Sequence, residues 1–308
     1  MISVEIQEGM AVKTKLFFSI TVAVMILSAL IGCDNSQRLS CPQSDESTMG
    51  VLRSNDHGVT WTSLGNACIT ELGEHPADPT GFVMNDEVVL YFVDFGHLNQ
   101  NYPQTLYRIT SSDGINFGKP QPAYTQSATM VDPFVLPLTN GAYRFFIPST
   151  DEGIISGTSP DGKGFNQDPG IRIPMGGGGM PGALQLPDGK VRLFVNGAIH
   201  GEGGIFSYIS VDGLNFNEEK GLRIAGTPGM VYDDAQPIRL KNGSYLMMYQ
   251  IHPDNMTDKP EPWTFTEIHI ATSVDGFTWA PNPKVIGYGG TSCIVEWADG
   301  ALLIYYGH

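Results

Sequence analysis

The chain of 308 residues reads as an all-β protein, a five-bladed β-propeller, on three observations. A short turn phrase occurs five times, a second series of hairpin signals is interleaved with it, and the two ends of the chain carry complementary half-blades.

The phrase is longest in its first copy, Ser54-Asn55-Asp56-His57-Gly58-Val59-Thr60-Trp61, and continues as S-x-D-G-x-x-[FW] at Ser111 to Phe117, Ser159 to Phe165, Ser210 to Phe216 and Ser273 to Trp279. Its aspartates fall at 56, 113, 161, 212 and 275, so the repeat wanders between 48 and 63 residues. A supersecondary unit with loops of variable length gives that pattern. The second series consists of apolar segments that double back on Asn85-Asp86, Asn140-Gly141, Asp188-Gly189, Asn242-Gly243 and Asp299-Gly300. Such dipeptides tolerate the positive φ of a two-residue type I′ hairpin. The flanks Val88 to Phe92, Tyr143 to Ile147, Val191 to Val195, Tyr245 to Tyr249 and Ala301 to Tyr306 are aromatic and β-branched, as strands packed on both faces require. Each repeat therefore offers an inner and an outer hairpin, the four strands of a blade.

Residues 49–308 form the propeller in this reading. They begin with an outer hairpin (Met49 to Trp61) that has no inner partner and end with an inner hairpin (Ser292 to Tyr306) that has no outer one. Pairing the two completes one blade and leaves no open sheet edge. The alternative, a six-bladed ring with a degenerate blade, has no stretch left over to build it.

Composition agrees: 41% hydrophobic residues, 37 glycines, 21 prolines and 16% charged residues suit a turn-rich all-β chain. Removing the residues before Cys33 takes away two glutamates and two lysines, so the net charge stays at -15. That acid excess argues against nucleic acid and against an anionic membrane surface held by charge. A monomer is expected.

Residues 1–33 have the layout of an export signal, with Lys13 and Lys15 ahead of the apolar run Leu16 to Ile31. Leu30-Ile31-Gly32-Cys33 resembles a bacterial lipobox, which makes Cys33 the lipidated residue and residues 34–48 a polar tether. An ordinary secretory signal or membrane anchor is the alternative. The expected location is the bacterial cell envelope, lipid-anchored and facing the periplasm or the cell surface, with the anchor as the sole link to the membrane. Cys41, Cys68 and Cys293 remain, and an exported chain can oxidise two of them. Their spacing matches no zinc pattern.

Within a blade the phrases are turns between the third and fourth strands, on the face opposite the entries to the inner strands. Their aspartates are expected to accept turn N–H groups, while Trp61, Phe117, Phe165, Phe216 and Trp279 pack between sheets. The other face carries Ala77-Asp78-Pro79, Val131-Asp132-Pro133 and Asp233-Asp234-Ala235-Gln236-Pro237 ahead of three inner strands. Asp78, Asp132 and one of Asp233 or Asp234 then converge near the axis, where mutual repulsion raises at least one pKa and separates acid from base. The plainer alternative is that Asp-Pro only shapes the entry to each strand.

Taken together, the repeated phrase, Ala-Asp-Pro before the first inner strand and Asp-Pro-Phe-Val before the second resemble the five-bladed glycoside hydrolases of family 43 and their relatives in families 32, 62 and 68. The resemblance covers residues 50–308. It implies a general base at Asp78 and a residue at Asp132 that tunes pKa and orientation. The chain departs from the family at blade three, where a general-acid glutamate is usual and Met180-Pro181-Gly182 stands here. Glu202, Glu152 and Glu267 are substitutes, Glu202 first. An inverting reaction sets acid and base about 6.5–9.5 Å apart, a retaining one about 5–5.5 Å.

His75, His97, His200 and His252, with Asp234, Trp263, Tyr102, Tyr232 and Tyr288, are candidates for binding a sugar, since aromatic faces stack on C–H surfaces and polar tips orient hydroxyls. The proline-rich segment 250–266 is the expected wall of a cleft. No cofactor is called for, and a calcium ion on the axis stays open.

Two functions of different class follow. One is a lipid-anchored hydrolase, inverting, for arabinose-, xylose- or galactose-type linkages of plant or algal saccharides. The other is a propeller that binds a glycan or protein and has lost the general acid. A third reading, a sialidase-like enzyme, rests on the full spacing of the first phrase, an Asp box. Against it stand the blade count and the lack of an arginine triad.

Overall fold

The first strands of successive blades touch one another in a closed ring of five, and this ring defines the axis on which everything else is arranged. The computed structural model describes residues 49–70, 76–94, 103–149, 152–199, 202–256 and 262–307. Among them are five antiparallel sheets. Blade one holds Pro76–Met84, Glu87–Asp94, Gln104–Ser111 and Gln121–Gln126. Blade two holds Phe134–Pro137, Tyr143–Ser149 and Gly153–Ser159, with its outer edge shared by Asn166–Gln167 and Ile173–Pro174. Blade three runs Gly179–Gln185, Val191–Ile199, Glu202–Ser210 and Asn217–Ala225. Blade four has Met230–Arg239, Tyr245–Pro253 and Glu267–Ser273, its edge shared by Ala280–Pro281 and Gly287–Tyr288. In the fifth sheet Gly290–Glu296 and Leu302–Gly307 stand beside Gly50–Ser54 and Thr62–Asn66, with Gly50 opposite Tyr306.

Apolar runs are continuous because each second strand is buried on both faces. Val88, Leu90 and Phe92 enter the core shared with blade five, whereas Val89, Tyr91 and Val93 enter the core shared with blade two. Blade four divides in the same way: Tyr245, Met247 and Tyr249 face blade three, and Leu246 and Met248 face blade five. Period-two geometry therefore gives five apolar clusters, one per interface between neighbouring blades.

The five phrases are scaffold, as expected. In each, the serine hydroxyl accepts the glycine N–H, as in Gly58 to Ser54 at 2.8 Å and Gly114 to Ser111 at 2.9 Å. The aspartate collects the N–H groups that follow; Asp113 Oδ1 accepts Ile115 at 2.9 Å and Asn116 at 2.7 Å. These bonds hold Asp56, Asp113 and Asp275 at about 2. Phe117, Phe165 and Trp279 are buried between sheets, and Trp61 and Phe216 pack against the same cores. Four phrases are also hooked by the second strand of the preceding blade: Tyr305 to Gly114 O, Tyr91 to Gly162 O, Arg144 to Asp212 O and Arg192 to Gly276 O.

The inner hairpins differ from the sequence expectation. At Asn85-Asp86 both φ values are positive, 51° and 61°, as type I′ demands. In the other four only the glycine is left-handed, and its N–H bonds the carbonyl three residues back, as from Gly141 to Leu138 at 2.9 Å. A second bond, Leu138 N to Ala142 O at 2.8 Å, closes the loop. These are type I turns finished by a glycine bulge, so Asn140, Asp188, Asn242 and Asp299 keep ordinary φ.

Cys68 is disulfide-bonded and Cys293 is a free, buried thiol, which removes Cys293 from the pairing alternatives. The leader and tether, with Lys13, Lys15, Cys33 and Cys41, lie outside the described residues.

Candidate active site at the propeller axis

One backbone irregularity, repeated from blade to blade, builds the site. Asp78, Asp132, Met180 and Asp234 have φ of 51°, 45°, 43° and 47°. For blades one, three and four a bulge interrupts the first strand at this point, between Ala77 and Thr80, Gly179 and Gly182, and Asp233 and Gln236. Blade five has its bulge between Gly290 and Ser292, which places Thr291 in the equivalent position. The bulge turns one side chain out of the ladder. Aspartate tolerates the left-handed region; methionine does so at a cost of about 1–2 kcal/mol. A strained methionine at the axis thus marks the position as more than a strand entry.

The symmetry also decides between the paired aspartates of blade four. Asp234 is the axial residue. Its Oδ2 accepts Ser292 N–H at 2.5 Å and its Oδ1 accepts Gln236 Nε2 at 3.0 Å. Asp233 points elsewhere, its Oδ2 lying 3.0 Å from His252 Nε2, while His252 Nδ1 lies 2.8 Å from Pro253 O. Both ring nitrogens face acceptors, so the imidazolium is favoured and the His252 pKa is raised above 6.5. Asp233 Oδ1 is buried with no hydrogen-bond partner among the described residues.

Asp78 and Asp234 are each 4% exposed, and Asp132 is more open. Burial raises all three carboxyls, Asp234 to about 8. Asp132 stands well above the usual carboxylate range, because it is buried and because Asp78, Asp234 and Asp233 add their charges. In Asp78 the rise from burial is opposed by hydrogen bonds from Asp132 N–H and Thr291. These groups interact at a distance: among the described residues no three His, Cys, Asp or Glu side chains are arranged to hold a metal ion.

The other candidates are scattered. Glu202 opens the third strand of blade three, two strands outward from the axial one, and is exposed. Glu267 is tied to His269 Nε2 at 2.9 Å, and Glu152 is exposed just before the third strand of blade two. Tyr232 lies within a strand, not a loop, stacked on Tyr249 at 6.3 Å. Tyr288 is exposed. His75, His97, Tyr102 and His200 lie outside the described residues, as does the side chain of Trp263. Further along the first strands lies a cavity of about 350 Å³ walled by Val83, Val135, Leu184, Ile238 and Val295, which none of these carboxyls lines. Thr291 was missed in the sequence, and Met180 stood out there only as the residue in place of a glutamate, because the shared bulge alone reveals their equivalence to Asp78. The proline after Met180, as after Asp78 and Asp132, was the available signal.

No family model matches this sequence, and no curated protein matches it either. Solved structures do match. An endo-arabinase from Bacteroides thetaiotaomicron superposes with a TM-score of 0.55 at 18% identity, over 74% of this chain and 88% of that one. The fold is that of the family 43 glycoside hydrolases. A family 43 protein from Bacillus licheniformis gives 0.58 at 15% identity, over 75% of this chain and 48% of that one. A family 32 β-fructofuranosidase from Bombyx mori gives 0.57 at 12%, over 75% and 54%.

Proposed function

We propose that the chain is a glycoside hydrolase for arabinose-, xylose- or galactose-type linkages of plant or algal saccharides, anchored through a lipid on Cys33 at the bacterial cell envelope. The observation that carries this reading is the convergence of Asp78, Asp132 and Asp234, from equivalent strained positions of three blades, on one axis. Burial raises all three carboxyls, Asp234 to about 8, while in Asp78 alone of Asp78 and Asp132 two hydrogen bonds oppose the rise and favour the ionised form. Hydrolysis of a glycosidic bond needs that division of labour. Asp78 is the base that activates water. The partly buried His252 and the exposed Tyr288 are available to orient a sugar.

Met180 favours a second reading. A thioether at the blade-three axial position neither donates nor accepts a proton, as expected of a propeller that binds a glycan without cleaving it.

Aryl arabinofuranosides, xylosides and galactosides, offered to the full-length chain in detergent, separate the two. Turnover by the wild type with loss of roughly 100-fold or more in Asp78→Asn supports the hydrolase. Saccharide binding without turnover supports the second reading. The anchor is tested by Cys33→Ala, which should move the protein from the membrane to the soluble fraction.

A further inference from the structure

Contacts around the axis follow one rule and then break it. The axial side chain of a blade accepts a backbone N–H from the axial segment of the next. Asp234 of blade four accepts Ser292 N–H of blade five at 2.5 Å, Thr291 of blade five accepts Asp78 N–H of blade one at 3.3 Å, and Asp78 accepts Asp132 N–H of blade two at 2.9 Å. Continued, the rule would place Met180 N–H on Asp132 and a blade-four N–H on residue 180. Neither bond occurs among the described residues, and the Met180 thioether, which lies 3.8 Å from Asn196 Nδ2, is a weak acceptor. The carboxyl of Asp132 consequently makes no hydrogen bond with a described residue. It is also the most open of the three.

We propose that Asp132, not a glutamate, is the proton donor of the reaction, delivering its proton at the gap left by Met180. This rests on the hydrolase reading. The Asp132 O–H bond breaks and its proton passes to the glycosidic oxygen. The bond from that oxygen to the anomeric carbon breaks with its electron pair staying on the oxygen. A water oxygen bonds the anomeric carbon, and its proton goes to the Asp78 carboxylate. Water is added across the linkage, and the two carboxyls exchange protonation states, to be reset through solvent.

The surroundings of the two groups fit those roles. Asp78 has a backbone N–H and the Thr291 hydroxyl to stabilise its charge. Among the described residues Asp132 has neither, and it feels the charges of Asp78 from blade one and of Asp234 and Asp233 from blade four, with uncharged Met180 at the axial position of blade three and His252 bonded to Asp233. A carboxyl so placed keeps its proton.

Leaving-group dependence tests the assignment. With the full-length chain, Asp132→Asn should lose roughly 100- to 10,000-fold on alkyl glycosides and less than about tenfold on dinitrophenyl glycosides, which depart without protonation. Asp78→Asn should lose activity on both. Should Asp132→Asn unfold, Met180→Lys gives the answer by another route: an ammonium beside Asp132 moves the alkaline limb of kcat/KM down by about one pH unit or more. Equal losses on both substrates in Asp132→Asn, an unmoved limb in Met180→Lys, or the leaving-group signature appearing in Glu202→Gln would overturn the proposal while the hydrolase stands. Absence of any wild-type turnover overturns both.

Discussion

The N–H of Asp132 donates to Oδ2 of Asp78 at 2.9 Å, so the main chain of blade two is fastened by a carboxylate of blade one. In the proposed mechanism the same carboxyl is the base. Asp78→Asn keeps a carbonyl acceptor, whereas Asp78→Ala leaves a buried N–H without a partner, at a cost of about 1–3 kcal/mol. Denaturant titration of the two variants should therefore show Asn close to wild type and Ala clearly weaker, with both inactive. Equal stability would mean that the bond is incidental.

Stability should fall as pH rises from about 4 to about 8. Asp234 is raised from 3.8 to about 8, so over that window the folded chain holds a proton that the unfolded chain has lost. Its contribution is complete below the unfolded value and disappears as pH passes the folded one, with a slope of about 1.4 kcal/mol per pH unit for each such proton. Asp234→Asn should flatten the curve measured by chemical denaturation at successive pH values. A profile steeper than or identical to wild type would contradict this.

His252 is raised above 6.5 chiefly by its hydrogen bond with Asp233. What the pair adds to stability is fully present below 6.5 and is lost as pH climbs through the raised value. Imidazole resonances followed by NMR should titrate above the ordinary histidine range in the wild type and lower in Asp233→Asn. A His252 midpoint that ignores the substitution would remove the pair from the site.

Tyr91 is fully buried and its hydroxyl reaches Gly162 O at 2.6 Å in the next blade's phrase. Tyr91→Phe keeps the ring contacts with Phe82 and Phe165 and removes that hook together with the interaction of the hydroxyl with Arg108, so a loss of about 1–3 kcal/mol is expected, without effect on any activity. Thermal unfolding reads it directly.

Blade number and scaffold face were legible because the S-x-D-G phrase is a local device: its serine and aspartate bond N–H groups within four residues. The axial placement of Asp78 and Asp132 was legible for a similar reason, each standing just before a proline at a strand entry. The choice of Asp234 over Asp233 was not, since adjacent aspartates look alike until a bulge sends one to the axis and the other to His252. Hairpin type was half legible: glycine is required, but whether the residue before it also turns left-handed depends on how the flanking strands are hydrogen-bonded. The thioether at 180 read in the sequence only as a missing acid, because its relation to the carboxyl it leaves unfastened appears only around the axis.

Alternate residues of one strand belong to different cores, Val88 and Leu90 to one interface and Val89 and Tyr91 to the next. Inserting or deleting a single residue there would exchange the two sets and spoil both interfaces at once, together with the hook to the neighbouring phrase. Mutation by change of length is thereby excluded from the strands and left to the connections. Divergence of such a chain by insertion is then steered to the connections between strands, where added segments leave the blades as they are.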